Sequence, residues 1–118
     1  MAARVHSEPA IEACVRADAA LTRAFTILGK RWSAVVLGSL RAGPAGFREL
    51  SRAIDGVSDS VLADRLAELA DQQLVRRHVD EGPPVSVSYE LTERGQALMP
   101  ALDEISAWAV RHLPDGDD

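Results

Sequence analysis

One short segment gathers Ser58, Asp59, Ser60, Asp64 and Arg65, side chains suited to reading a polymer of bases and phosphates. Ser58 and Ser60 can donate hydrogen bonds to a phosphate or a base edge, and Arg65 can pair with guanine or phosphate. The acids Asp59, Asp64 and Glu68 fit poorly against phosphate; they either sit off a groove or accept from cytosine amino groups at some loss of affinity. Cations flank the segment on both sides, with Arg48 and Arg52 before it and Arg76, Arg77 and His78 after it. These are the best phosphate candidates, although each alone is equally well read as a solvated surface charge. Catalytic chemistry has little to stand on: there is no Gly-rich phosphate loop, no metal-spaced Cys/His cluster and no local nucleophile and base pair. His78 is far in sequence from His6 and His112. We therefore expect no enzyme, no cofactor and no metal.

The elements that must position these residues follow from periodicity. Residues 1–10 hold Pro9 and no repeating pattern, which predicts a mobile arm. From about Ile11 to Leu28, Val15, Ala19, Leu21, Thr22, Phe25 and Leu28 form one apolar stripe, predicting a single amphipathic helix stopped by Gly29. Trp32, Val35, Val36, Ser39 and Leu40 predict a second helix, ended by Gly43-Pro44. A short helix over Gly46 to Ile54 buries Phe47, Leu50 and Ile54, and Asp55-Gly56 makes a turn. Ser58 is a good N-cap for the next helix, whose inner stripe is Val61, Leu62, Ala63, Leu66, Leu69 and Ala70, running to about Gln72.

After Leu74 the period changes to two. Val75 to Val79 and Val85 to Leu91 read as strands, joined by Asp80-Glu81-Gly82-Pro83-Pro84, with Val85, Val87, Tyr89 and Leu91 on the buried side. Thr92 then caps a last helix with the stripe Leu98, Ala101, Leu102, Ile105, Trp108 and Ala109, and Pro100 is expected to kink it. This order gives a mainly α fold with a small β-hairpin wing, a winged helix-turn-helix. The expected organisation is one compact domain over residues 11–112 with an acidic tail over 113–118.

Charge distribution decides whether this plan can meet nucleic acid. The formal net charge is −5, which opposes DNA binding because affinity comes largely from cations that displace counterions. The charge is uneven, however. Residues 30–54 carry Lys30, Arg31, Arg41, Arg48 and Arg52 against Glu49 alone, whereas residues 103–118 carry five acids and one arginine. A basic face with acidic ends follows. A polar amino terminus without a signal-peptide core, and no apolar run near 18 residues, predict a soluble cytoplasmic protein with no membrane partner.

Several motifs in order carry a family resemblance. Leu28-Gly-Lys-Arg-Trp32, Val36-Leu-Gly-Ser-Leu40, Gly43-Pro-Ala-Gly-Phe-Arg-Glu-Leu50, Ile54-Asp-Gly-Val-Ser58, Val61-Leu-Ala-Asp-Arg-Leu66 and Tyr89-Glu-Leu-Thr-Glu-Arg-Gly95 resemble the HxlR family of MarR-like bacterial winged-helix regulators. The resemblance runs from about Ala20 to Trp108. It implies a homodimer formed through the first and last helices, a wing over Leu74 to Leu91, and transcriptional regulation, by repression, at a short palindromic operator of double-stranded DNA.

Two sensing routes stand beside this reading. Some members of the family sense electrophiles or oxidants through a lone amino-terminal cysteine, usually followed by proline. Here the single cysteine, Cys14, precedes Val15 and stands 18 residues before Trp32; it is a candidate sensor, or a small apolar residue at the dimer interface or near the helix start. Phe25, Trp32, Tyr89 and Trp108 are candidates to line a small-molecule pocket, or ordinary core. The alternative to DNA binding is a winged-helix protein-interaction module, which the acidic balance favours.

Overall fold

The computed structural model describes residues 7–115 of the chain. The chain divides into two compact units, one up to Arg31 and one from Trp32 onward, where the sequence suggests a single one. In the first unit, α1 (Glu8–Ala17) is capped by Ser7, whose Oγ accepts from the Ala10 N–H, with Pro9 in its first turn. Residues 8–10 of the expected arm are therefore helical, because the cap and the proline together start a helix; residues 1–6 lie outside the described residues. The single helix expected from Ile11 to Leu28 is two, α1 and α2 (Ala19–Leu28), separated at Asp18 with φ −94° and ψ 9°. Asp is a residue of helix ends more than interiors, and here it closes α1 while its carbonyl takes the Thr22 N–H. Gly29 ends α2 as expected. Neither helix buries a residue.

The second unit holds the core. It contains α3 (Ser33–Ser39), β1 (Ala45–Gly46), α4 (Phe47–Ala53), α5 (Asp59–Asp71), β2 (Val75–Asp80), β3 (Ser86–Leu91) and α6 (Glu93–His112). Val36, Leu37 and Leu40 from α3, Leu50 and Ile54 from α4, and Leu62, Leu66 and Leu69 from α5 are buried together with Leu74, Val75, Leu91 and Met99. Relative to the expected stripe, α3 is turned: Ser33, Val36 and Leu37 are buried while Val35 is exposed. Trp32 stands just outside it, at φ 81°, a left-handed conformation that costs a bulky residue energy and that its packing must offset. Its ring lies over Gly56, 3.4 Å from where a Cβ would stand. The helix ends at Ser39, short of Gly43-Pro44.

The sheet is antiparallel with strand order β1-β3-β2. The hairpin is in the expected place, with Val75 opposite Leu91, Arg77 opposite Tyr89 and Val79 opposite Val87. The short strand β1, pairing Ala45 with Tyr89 and Gly46 with Ser88, escaped the sequence reading because two residues have no period. Burial along the hairpin fades toward its tip, so Val85 and Val79 are exposed although they continue the apolar alternation.

The joint between α5, the sheet and α6 is built from the backbone. The α5 C-terminus is a Schellman motif, in which the Leu74 N–H bonds to the Leu69 carbonyl and the Gln73 N–H to the Ala70 carbonyl. Gln73 takes the left-handed position at φ 62°. Thr92 Oγ1 donates to the Gln73 carbonyl at 2.6 Å and accepts from the Gly95 N–H at 3.1 Å, so one hydroxyl closes α5 and opens α6. Arg94 Nη1 adds a bond to the Gln72 carbonyl at 3.1 Å. Gly95 is buried, and its lack of a side chain is required because a Cβ there would stand 2.2 Å from the Leu74 carbonyl oxygen. The α6 helix then continues through Pro100. Position 100 faces solvent, so the turn that must accommodate the ring has room.

Two substitutions at this joint act with opposite sign. Gly95→Ala forces a carbon into a backbone oxygen and is expected to cost about 1–3 kcal/mol. Gln73→Gly relieves a left-handed side chain and is expected to gain about 1 kcal/mol. Urea denaturation with an unchanged m-value checks both: the midpoint must fall for the first and rise for the second.

Candidate nucleic-acid interface

The helices α4 and α5 form the helix-turn-helix. Gly46 N–H donates to Glu49 Oε1 at 2.7 Å, which starts α4, and Ile54 caps its end with its own N–H on the Leu50 carbonyl. Gly56, at φ 92°, makes the turn under the Trp32 ring. Ser58 is the N-cap of α5, as expected, its Oγ accepting from the Val61 N–H at 3.2 Å. Its remaining hydroxyl capacity lies near Ser60 Oγ, 3.4 Å away.

The stripe that buries α5 also decides which residues face outward. Leu62, Leu66 and Leu69 are fully buried, and at ~100° per residue Ser60 and Asp64 lie nearly opposite them. Both are exposed, as are Ala63 and Ala67 beside them. Two of the expected reading residues are engaged within the protein instead. Asp59 Oδ1 accepts from Ser51 Oγ at 2.8 Å, and Asp59 Oδ2 lies 4.0 Å from Arg48 Nη1. This acid therefore ties the first helix of the motif to the second. Arg65 Nη1 sits 2.7 Å from Glu68 Oε1 with its side chain only 18 % exposed. It lies against the flank of α5, one turn from its partner, because at ~100° per residue position 65 is closer to the buried stripe than to the outer face.

The flanking cations differ in availability. Arg48 is highly exposed despite its distant acid partner. Arg52 Nε bonds the Arg48 carbonyl at 3.3 Å, within its own helix, and its side chain is exposed. On the wing, Arg76 Nε pairs with Glu90 Oε2 across the strands at 3.1 Å. Arg77 and His78 are exposed, and no side-chain partner is seen for them among the described residues. The cations thus stand at the base and middle of the hairpin, while its tip carries Asp80, whose Oδ1 takes the Gly82 N–H, and Glu81.

The sequence reasoning missed Ser51, whose hydroxyl gives Asp59 its role, and the Arg41–Asp103 pair at 2.8 Å, which links the end of α3 to α6. Ser51 and Asp59 are eight residues apart across a turn, a spacing with meaning only once the turn is built. Cys14 is exposed on α1. The four candidate pocket aromatics lie on or beside different elements. Phe25 is on α2, in the first unit, where it lines a shallow depression with Asp18, Leu21, Thr22 and Thr26. In the second unit, Trp32 covers Gly56, Tyr89 stands between Ala45 and Arg77 in the sheet, and Trp108 stacks on His112 at 5.5 Å. Among the described residues no His/Cys/Asp/Glu group could hold a metal, and no helix is long and apolar enough to cross a membrane.

Comparison with known proteins agrees with this geometry. Residues 27–117 match the model of the HxlR-like helix-turn-helix family. The HTH-type transcriptional regulator YodB of Bacillus subtilis is 42 % identical over 94 residues, covering 80 % of this chain and 84 % of the relative. YvaP of the same organism, an uncharacterized HTH-type transcriptional regulator, is 41 % identical over 91 residues, covering 77 % and 84 %. The solved reduced form of B. subtilis YodB superposes with a TM-score of 0.76 at 39 % identity, covering 84 % of this chain and 97 % of that one. The fold is therefore a shared one, and the chain belongs to the HxlR-like helix-turn-helix family of DNA-binding transcriptional regulators.

Proposed function

We propose that the protein works as a homodimer that binds a palindromic operator and represses by blocking polymerase access. The observation that carries this reading is the outward face of α5, which presents Ser58, Ser60 and Asp64, with exposed Arg48, Arg52, Arg77 and His78 on the elements beside it. On this reading Ser58 and Ser60 contact base edges or nearby phosphate, and the arginines hold the backbone. Arg76, shared with Glu90, and Arg65, shared with Glu68, contribute less. Asp59 acts by holding α4 against α5. Two copies place their α5 helices in successive major grooves about one turn of DNA apart. The reading assigns the protein no enzymatic role, no cofactor and no membrane partner, and places it in the cytoplasm.

Exposed apolar side chains supply the dimer surface: Ile11 and Val15 on α1, Leu21 and Phe25 on α2, and Ile105, Trp108 and Val110 on α6. A lone chain leaves this much apolar surface in water only if something covers it, and a second copy covers it symmetrically. A second part of the reading concerns the signal. B. subtilis YodB has been solved in reduced, diamide-treated and quinone-bound forms, and HypR, 25 % identical, is described as a redox regulator. With one cysteine per chain, exposed on α1, diamide oxidation joins Cys14 of two chains: two thiols lose two hydrogens to diamide and form one disulfide.

Three measurements test this. Binding to the promoter upstream of its own gene should weaken steeply with salt. Arg77→Ala should flatten the log–log slope by about one and weaken binding evenly across sequences, with Arg65→Ala changing it little; absence of salt-dependent binding would favour a protein-interaction module. Trp108→Glu should convert a dimer to a monomer in sedimentation, and a variant that keeps the dimer mass would refute the α6 interface. Diamide should yield a reducible covalent dimer and alter operator affinity in the wild type and not in Cys14→Ser; unchanged wild-type affinity would sink the oxidant signal.

A further inference from the structure

We propose that Asp64 is the residue through which the reading helix selects cytosine, a specificity that rests on the operator-binding reading above. The α5 helix carries four acids, Asp59, Asp64, Glu68 and Asp71, whose charge opposes phosphate; Asp71 is its last residue, and the structure separates the other three. Asp59 is held by Ser51 and Arg48. Glu68 is held by Arg65. Asp64 is exposed on the side opposite Leu62, and no side-chain partner is seen for it among the described residues. Arg65, the adjacent cation, is turned to Glu68 at 2.7 Å.

The neighbours of Asp64 on the outer face include Ser60 one turn before it, Ala67 one turn after it and Ala63 beside it, all small, while Glu68, also one turn on, is turned to Arg65. A helix with so slight an outer face lies close to the floor of a major groove, so the short aspartate side chain reaches a base edge. An ionised carboxylate only accepts hydrogen bonds. Guanine offers N7 and O6, both acceptors, and thymine offers O4 and a methyl group, so each repels it. Adenine offers one donor beside one acceptor. Cytosine offers the N4 amino group and is the base that satisfies the carboxylate. The charge that weakens attraction to the backbone thus becomes a penalty on guanine and thymine and leaves cytosine the best match.

Selection of the full-length protein against a randomised duplex library, followed by competition binding, tests the assignment. The wild type is expected to recover a two-fold site with a fixed cytosine in each half, and replacing it by guanine or thymine should weaken binding about ten-fold or more. Asp64→Asn keeps the shape but gains a donor, so its preference at that position should move to adenine, whose N6 and N7 match a carboxamide. Asp64→Ala should lose the preference and bind non-specific DNA more tightly. Recovery of the wild-type base pattern by both variants would overturn the role of Asp64. Failure of the wild type to bind DNA with any salt dependence would overturn instead the operator-binding reading beneath it.

Discussion

Everything functional in the second unit depends on burial of the Leu62, Leu66 and Leu69 stripe. At roughly 1.5–3 kcal/mol for each fully buried leucine, this contact exceeds any surface ion pair in the molecule, since exposed pairs such as Arg41–Asp103 or Arg76–Glu90 contribute about 1 kcal/mol or less. The stripe fixes the rotation of α5 about its axis. Once that rotation is set, Ser60 and Asp64 must face outward and Arg65 must lie along the flank. The hydrogen bond from Ser51 to Asp59 then fixes the remaining freedom, the angle between the two helices of the motif. Apolar packing chooses the face, and one polar contact sets its pitch.

Much of this was legible in the sequence. Ser58 announces a helix start, the leucines announce its inner face, and alternation from Val85 to Leu91 announces a strand, because each is a local rule with a short period. The family motifs added the order of the elements. What was not legible depends on distance in three dimensions. The break at Asp18 is a single residue in a continuous apolar pattern. The left-handed backbone of Trp32 and Gln73 has no signature in residues that usually avoid it. The partners of Asp59 and Arg65 decide their roles, and in the sequence both looked as available as Ser60 and Asp64. Residue type nominated the site; only packing could divide it into readers and braces.

The first unit differs in kind. The helices α1 and α2 have apolar stripes, and α1 a serine cap, yet neither buries a residue. Short helices of ten residues are marginal on their own, so their order must be supported by surfaces beyond their own pairing. Placing the single cysteine on such an element, rather than in the leucine core, puts a chemically reactive group where structural change costs little. The acidic wing tip follows a similar division. Arg77 and His78 sit within the strand, supported by the sheet, while Asp80 and Glu81 stand at its tip, so the cations and the acids of the hairpin are separated along its length.

The hydroxyl of Thr92, bonded in both directions, makes the start of α6 and the end of α5 a single stiff knee. The α6 helix is about 30 Å long, and its far half carries Trp108 and Ile105. It therefore works as a lever whose fulcrum lies at the foot of the reading helix: a small sideways displacement at the long end becomes a tilt at the short one, with little slack at the knee to absorb it. Mechanical advantage of this kind couples an event at the far end of α6 to the tilt of α5.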